Sequence, residues 1–468
     1  MKTLVPKRTL IKLIILSVIS TLLVLCSQHV GIFWDNVLAV SKIGSAIFAR
    51  PTFSLRMPVE LDPGHPPFIG ALMAMGWSIW GRSLLTSHFL MLPFIVGVLW
   101  QIDNLLLYFF KNRTLHFFCF LLVIVDPTLL SQFVLVNMEV IQVFFFLLAL
   151  NAILKEKTAF KTVGLMFLGI ISLRGMMLCA GVFLIDISLQ LFIHGKKPKA
   201  FVTPQNGIAY LLGALPACIY IFWRLVIVGW LRIHPESPWA ESNQLADVEV
   251  FFRNILVLIQ RFVDFGRVTV ILIATVLLFI NRKNPVQKIK TLIIITLCST
   301  LIIMLTSLFS TNEMGHRYFI TSYLAIVILA FYLIQPYKFK WIAYISMICS
   351  LLLGNLIVYP DHISQGWDAS LAHLPYWGLR DEALTYMDQN DIPVSATASF
   401  FPNATSLDNI TLNSNMEAFQ DFSGNEQYVF YSNVYNLSDE HLLVLKNDYL
   451  NLKEFRQNRV RIELLQKR

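Results

Sequence analysis

The strongest constraint on this chain is its succession of apolar runs of about 20 residues, the length at which a helix crosses a hydrocarbon core of about 30 Å. A backbone in lipid has no water to bond with, so each run must satisfy its N–H and C=O groups internally and fold as a helix. Hydrophobic side chains make up 56% of the sequence and charged ones only 14%, which rules out a soluble globular protein. The fold class that follows is an α-helical polytopic membrane protein.

The net charge of +8 would suit a nucleic-acid partner only if it formed a patch. Instead the basic residues stand in short clusters between apolar runs and read as topology signals, so no nucleic acid is expected. Lys2, Lys7, Arg8 and Lys12 precede the first run. Lys111/Arg113, Lys155/Lys157, Lys196/Lys197/Lys199, Arg282/Lys283/Lys288/Lys290 and Lys338/Lys340 follow later ones. Placing these clusters in the cytoplasm gives eleven spans, near 13–33, 84–110, 115–133, 140–154, 158–173, 176–193, 207–230, 264–281, 291–310, 318–335 and 341–359. The amino terminus is then inside and the carboxyl terminus outside, across a prokaryotic cytoplasmic (inner) membrane. Segment 68–80 is too short to cross and reads as an interfacial or re-entrant helix. The first run, behind Lys7-Arg8, reads as an uncleaved signal anchor.

After Tyr359 the composition changes: residues 360–468 carry 8 Lys+Arg against 15 Asp+Glu. This reversal marks a separate outside domain after a membrane domain of residues 1–359. Alternating runs at Val394 to Phe401 and Tyr428 to Tyr431, with a charged stretch from Leu445 onward, point to a small mixed α/β module. All six cysteines (Cys26, Cys119, Cys179, Cys218, Cys298, Cys349) lie within apolar segments and read as packing residues, not as a disulfide framework or zinc site.

The sequence holds no internal repeat and no Gly-rich phosphate loop, so chemistry is expected in the polar outside loops 34–67, 137–139, 232–250 and 311–317. Loop 34–67 gathers Asp35, Glu60, Asp62 and His65 at a membrane boundary, where ionisable groups are costly to keep. Asp35, just past the first span, suits a general base; the plainer alternative is a carboxylate that merely ends a helix. Glu139 can share a divalent metal with Asp35, orient an acceptor, or pair with Arg174. Arg174 and Arg317 stand at outer ends of spans, against the positive-inside rule, and their guanidinium groups match a phosphate or pyrophosphate. Pairing with Glu139 or Glu313 is the alternative. His65-Pro66-Pro67 fixes a rigid entry into the short helix. His316 accompanies Glu313 and Arg317 in the last loop. Arg253, Arg261, Asp264 and Arg267 share one face of an interfacial helix, a pattern common for headgroup-facing surfaces.

In order and placement these residues resemble the C-type (GT-C) membrane glycosyltransferases, in the branch of the protein O-mannosyltransferases and the bacterial transferase that adds aminoarabinose to lipid A. The likeness runs over roughly residues 30–335. It rests on an acid after the first span (Asp35), the entry Asp62-Pro63-Gly64-His65-Pro66-Pro67-Phe68, an acid after Pro127-Thr128-Leu129-Leu130-Ser131-Gln132 (Glu139), and Arg317-Tyr318 opening a late span. The resemblance implies that Asp35 and Glu139 are catalytic and that Arg174, where the family usually has Lys before Gly, contacts the donor phosphate along with Arg317. Asp62, His65, Glu313 and His316 would then belong to the substrate loops. The chain departs from the pattern at Asn36, where many members carry a second acid, and at Glu139, where Asp is more usual. The implied activity is inverting transfer of a sugar from a polyprenyl-phosphate carrier to a hydroxyl of a lipid, polysaccharide or protein acceptor at the outer membrane face, with membrane lipids as further partners. The only cofactor implied is a divalent ion at Asp35 and Glu139. A transporter or flippase, or a non-catalytic scaffold, are the alternatives from other classes; the lack of repeats and of broken midplane helices argues against transport.

Overall fold

The computed structural model describes residues 7–50, 55–197, 203–231, 233–237, 239–240, 244–282, 285–312 and 314–468. The topology residues Lys2, Lys199 and Lys283 and the candidate Glu313 lie outside the described residues. The first part of the chain is helical: α1 (Lys7–Ser27), α2 (Val37–Phe48), α3 (Phe68–Trp80), α4 (Leu84–Phe109), α5 (Arg113–Ile124), α6 (Pro127–Val134), α7 (Glu139–Leu154), α8 (Thr158–Ile171), α9 (Leu173–Ile193), α10 (Pro204–Val228), α11 (Val248–Val263), α12 (Arg267–Ile280), α13 (Gln287–Leu308), α14 (His316–Ile334) and α15 (Lys340–Gly354). Among the described residues six of these, α1, α4, α9, α10, α13 and α14, are long and apolar enough to cross a membrane. Each of the eleven expected spans carries helix, but the third is the bent pair α5/α6, broken by 67°, and the eighth begins only after a 93° bend between α11 and α12. The helices α7, α8 and α15, of 16, 14 and 15 residues, are shorter than a full crossing. The chain is an integral, multi-pass membrane protein.

Polar residues open the helices at short turns. Ser83 accepts from Thr86 N (3.2 Å), Asn112 from Thr114 N (2.8 Å) and Ser172 from Gly175 N (3.0 Å). The α8/α9 corner is so tight that the Leu168 carbonyl oxygen lies 2.1 Å from where a Cβ on Gly175 would stand. That corner fixes the neighbouring Arg174. Helix α14 is the pillar of the bundle, with 83% of its apolar window buried against 17–50% in the other crossing helices.

One buried ion pair joins the two bends. Asp126 caps α6 by accepting from Thr128 N (3.0 Å) and Leu129 N (3.1 Å), and it receives Nε and Nη2 of Arg267 at 2.8 Å each. Arg267 opens α12 directly after Phe265 (φ 49°) and Gly266 (φ 79°), both left-handed. The Ser350 carbonyl oxygen lies 1.9 Å from the Cβ position of Gly266, so glycine alone fits the turn.

The loop 34–67, read from the sequence as a polar connection, contains α2. Its apolar residues fall at helical spacing, and Leu38, Ile43 and Ile47 form a cluster of their own with Ala71 and Ala74 of α3. The two short helices meet at glycines: Gly44 N lies 3.1 Å from the Cβ position of Gly70.

Past α15 the chain runs back along the bundle end and then builds α16 (Pro375–Gln389), β1 (Thr397–Ser399), α17 (Leu407–Thr411), β2 (Gln420–Asp421), β3 (Tyr428–Ser432), α18 (Asp439–Asp448), β4 (Tyr449–Gln457) and β5 (Val460–Lys467). The sheet order is β2-β1-β3-β5-β4. Strand β1 is parallel to β2 and β3, whereas β3, β5 and β4 are antiparallel. This module docks on the end of α1 and on α2. Ile32 N donates to Ile410 O (2.9 Å). Arg82 holds Asp408 through two 2.7 Å contacts.

Arg267→Met would leave Asp126 buried without its cation. Breaking a buried pair from one side costs about 3–5 kcal/mol, so the expected outcome is a clearly lowered unfolding midpoint in detergent, read by tryptophan fluorescence. An unchanged midpoint would mean that the pair does not hold the bends.

Candidate active site

The bundle end that meets the sheet module encloses a cavity of about 520 Å³, inside the range of about 300–1,000 Å³ usual for ligand sites. Its charged wall centres on Arg317, in the first turn of α14. Arg317 pairs through Nη2 with Asp35, through Nη1 with Asp368, and stands with Nε 3.1 Å from Glu139 Oε1. Glu139 also accepts from Arg174 Nη1 at 3.0 Å. The Arg174 guanidinium lies 3.7 Å above the Tyr318 ring, so cation–π attraction and the carboxylate fix it from two sides. Of the three carboxylates around Arg317, Asp35 is 47% exposed, Asp368 11% and Glu139 6%. Asp35 is thus the acid most open to the cavity.

Local structure sets each position. Trp34 is left-handed (φ 51°), an unusual state for a bulky residue that turns the chain sharply before Asp35. Asp35 O then accepts from Ala39 N (3.0 Å), which ties the acid to the start of α2. Glu139 opens α7 behind a stiff turn in which Asn137 donates to Gln132 O (2.7 Å) and accepts from Val140 N (3.0 Å). His316 faces Asp264 (Nε2 to Oδ2, 2.9 Å), which also accepts from Tyr359 OH and Phe265 N. The His316 ring leaves so little room that a Cβ on Gly366 would stand 2.6 Å from its Nδ1. This close pass delivers Asp368, whose carbonyl accepts from Gln132 Nε2 at 2.7 Å while Ala369 O accepts from Thr128 Oγ1 at 3.1 Å.

The expected residues therefore separate. Asp35, Glu139, Arg174 and Arg317 come together, and His65 and His316 line the same cavity. Asp62 does not line it; the residue is buried, paired to Arg224 (Oδ1 to Nη1 3.0 Å, Oδ2 to Nη2 2.9 Å) and bonded by Trp230 Nε1 (2.9 Å). Its backbone oxygen accepts from Ser237 Oγ (3.0 Å), so it ties the first loop to the loop after α10. Glu313 lies outside the described residues. Arg317, read from the sequence as a phosphate ligand, has its guanidinium edges taken up by three acids and acts on the cavity by holding Asp35 and Asp368. The divalent-ion reading of Asp35 and Glu139 does not fit these side chains as they stand, because the Arg317 cation lies between them. Among the described residues no group of three or more His, Cys, Asp or Glu side chains could hold a metal ion.

Two site residues escaped the sequence reading. Asp368 is the second acid after the last span; the rule that singled out Asp35 would have pointed to Asp361, seven residues earlier, which pairs with Arg461 of the sheet module. Arg261 was seen only as part of a surface stripe; it lines the cavity with Nε on Met314 O (2.7 Å) and a buried Nη1 that has no partner among the described residues.

Solved structures share this architecture. ArnT from Cupriavidus metallidurans bound to undecaprenyl phosphate aligns with a TM-score of 0.53 and 11% identity over 96% of this chain and 97% of its own. The apo form of that ArnT gives 0.53 and 10% over 98% of each chain. The chain has a GT-C fold. The arabinofuranosyltransferase AftD from Mycobacteria aligns more weakly, with a TM-score of 0.47 and 11% identity over 97% of this chain and 40% of its own. No family model matches the chain, and no curated protein matches its sequence.

Within this GT-C fold, burial and then the charge of Arg174 push the His65 imidazole down to about 4, so it is neutral at neutral pH. Burial raises the Asp368 carboxyl above its ordinary range even with Arg317 beside it. A histidine whose folded value lies below its unfolded value of 6.5 contributes its full stability above pH 6.5 and loses it as pH falls toward 4. The unfolding midpoint of the wild type should therefore drop more than that of His65→Gln between pH 6.5 and 4.5, with no divergence above pH 7. Parallel curves would place the His65 ring in contact with water.

Proposed function

We propose that the protein is an inverting glycosyltransferase that moves a sugar from a polyprenyl-phosphate carrier to a hydroxyl acceptor. The observation that carries this reading is the half-exposed Asp35 carboxylate on a cavity wall shared with Arg174 and Arg261. The likeness in fold to ArnT, solved with undecaprenyl phosphate, supports a lipid phosphate as the carrier. No nucleotide-binding loop is required.

Asp35 takes the proton of the acceptor hydroxyl as its oxygen bonds to the anomeric carbon. The bond from that carbon to the carrier phosphate breaks on the opposite face, and the electron pair leaves with the phosphate. Among the described residues Arg174 has only Nη1 engaged and Arg261 has an unpartnered Nη1; these two receive that charge. Glu139 holds Arg174 in place, and Arg317 sets the rotamer of Asp35. The site is assigned to the outer face. Glu139 and Lys155 stand at opposite ends of α7, and Lys12 and Lys155 gather at the far end on Asp103 (2.7 Å) and Asn104 (3.0 Å), where a positive-inside arrangement puts the cytoplasm.

Membranes carrying the wild type should move label from radiolabelled polyprenyl-phosphate sugars into an acceptor fraction. Asp35→Asn should lose about 10²–10⁴-fold of that rate with an unchanged unfolding midpoint. Arg174→Ala should lose rate and weaken donor binding together. Full transfer by well-folded Asp35→Asn would remove Asp35 from the mechanism, and no transfer by the wild type from any carrier sugar would reject the transferase reading.

A further inference from the structure

The cavity has a second wall unlike the charged one. Trp34, Trp239 and Phe401 come from three separate segments: the loop after α1, the loop after α10, and the sheet module. The Phe401 ring stands edge-on to Trp34 with centroids 5.5 Å apart and to Trp239 at 6.2 Å. All three line the cavity. Phe401 keeps 42% of its surface exposed although it belongs to the water-facing module, and the Trp34 indole Nε1 is buried with no hydrogen-bond partner among the described residues. The Asp62 clamp, through Ser237 Oγ, supports the turn that carries Trp239 (Trp239 N to Ser237 Oγ, 3.3 Å).

We propose that Trp34, Trp239 and Phe401 form the acceptor subsite and that the acceptor it takes is a neutral saccharide. This rests on the transferase reading above and names its acceptor class. A sugar ring presents an apolar face of C–H groups and an edge of hydroxyls. Aromatic faces match the first, and an indole N–H without a partner matches the second. None of the three side chains is ionised, which fits a ring without charge. The sequence neighbour of Trp34 is Asp35, so a ring on this wall places a hydroxyl beside the base while the carrier phosphate lies toward Arg174. A prenyl chain fits less well, because the adjoining wall is made by Gln365 and Asn436, which bond each other at 3.0 and 2.8 Å, rather than by lipid-facing helix.

The test is binding, without donor or turnover. Purified protein in nanodiscs is mixed with neutral trisaccharides of mannose, galactose and glucose, and separately with farnesyl phosphate, and saturation transfer to each is read by NMR. Ring C–H protons of at least one trisaccharide should receive saturation from the wild type and from Phe401→Tyr. Affinity should fall roughly two- to tenfold in Phe401→Ala, the range for one aromatic contact, at an unchanged unfolding midpoint. Should Phe401→Ala not fold, Phe401→Leu takes its place with the same expectation. The proposal is overturned if the wild type saturates no trisaccharide, if the truncated variant matches the wild type, or if farnesyl phosphate is the only ligand that Phe401 affects. Trisaccharide binding in a protein that transfers no sugar would reject the transferase reading and leave the subsite standing.

Discussion

Arg317 is held by three carboxylates that reach it from three distant parts of the chain, Asp35 after α1, Glu139 at the start of α7, and Asp368 beyond α15. A guanidinium buried at the end of the most enclosed helix has to be neutralised by neighbours, since removing one side of such an arrangement leaves an uncompensated charge. The arrangement fixes more than Arg317. It closes the bundle end around one cation and leaves a single acid, Asp35, open enough to meet a substrate. Behind it, Asp126 with Arg267 repeats the same device where the two bends meet, and Asp264 is held beside them by hydrogen bonds with His316, Tyr359 and Phe265 N.

The helical bundle was legible because apolar runs in lipid have one backbone solution. The exceptions are instructive. Helix α2 hid inside a loop because its twelve residues, Val37–Phe48, are too few for a crossing and stand between the acids of that loop. The break at Asp126 escaped because Asp126-Pro127 sits within an otherwise apolar stretch and acts through Arg267, 141 residues later. Asp35, Glu139 and Arg174, which the structure brings to one cavity, stood out in the sequence for one reason: a charge at the end of a span is expensive to keep. The same rule misassigned Asp62, which is just as costly but spends its charge on Arg224. Nothing in a single sequence shows which partner a buried acid has found.

The cavity divides its chemistry between two walls. One is ionic and suits phosphate, and the other is aromatic and carries almost no charge, with Asp35 where they meet. The proposed inverting displacement would use the two walls in turn, since nucleophile and leaving group approach the same carbon from opposite faces.

Asp368 and Phe401 both belong to the stretch made after every membrane helix is complete. A ribosome that has finished α14 has already produced Asp35, Glu139, Arg174 and Arg317, yet the cation among them still lacks one acid and the cavity lacks a wall. In the order of synthesis, a partly made chain in the membrane therefore holds Asp35 without a finished pocket, and the cavity is walled in only by the last hundred or so residues.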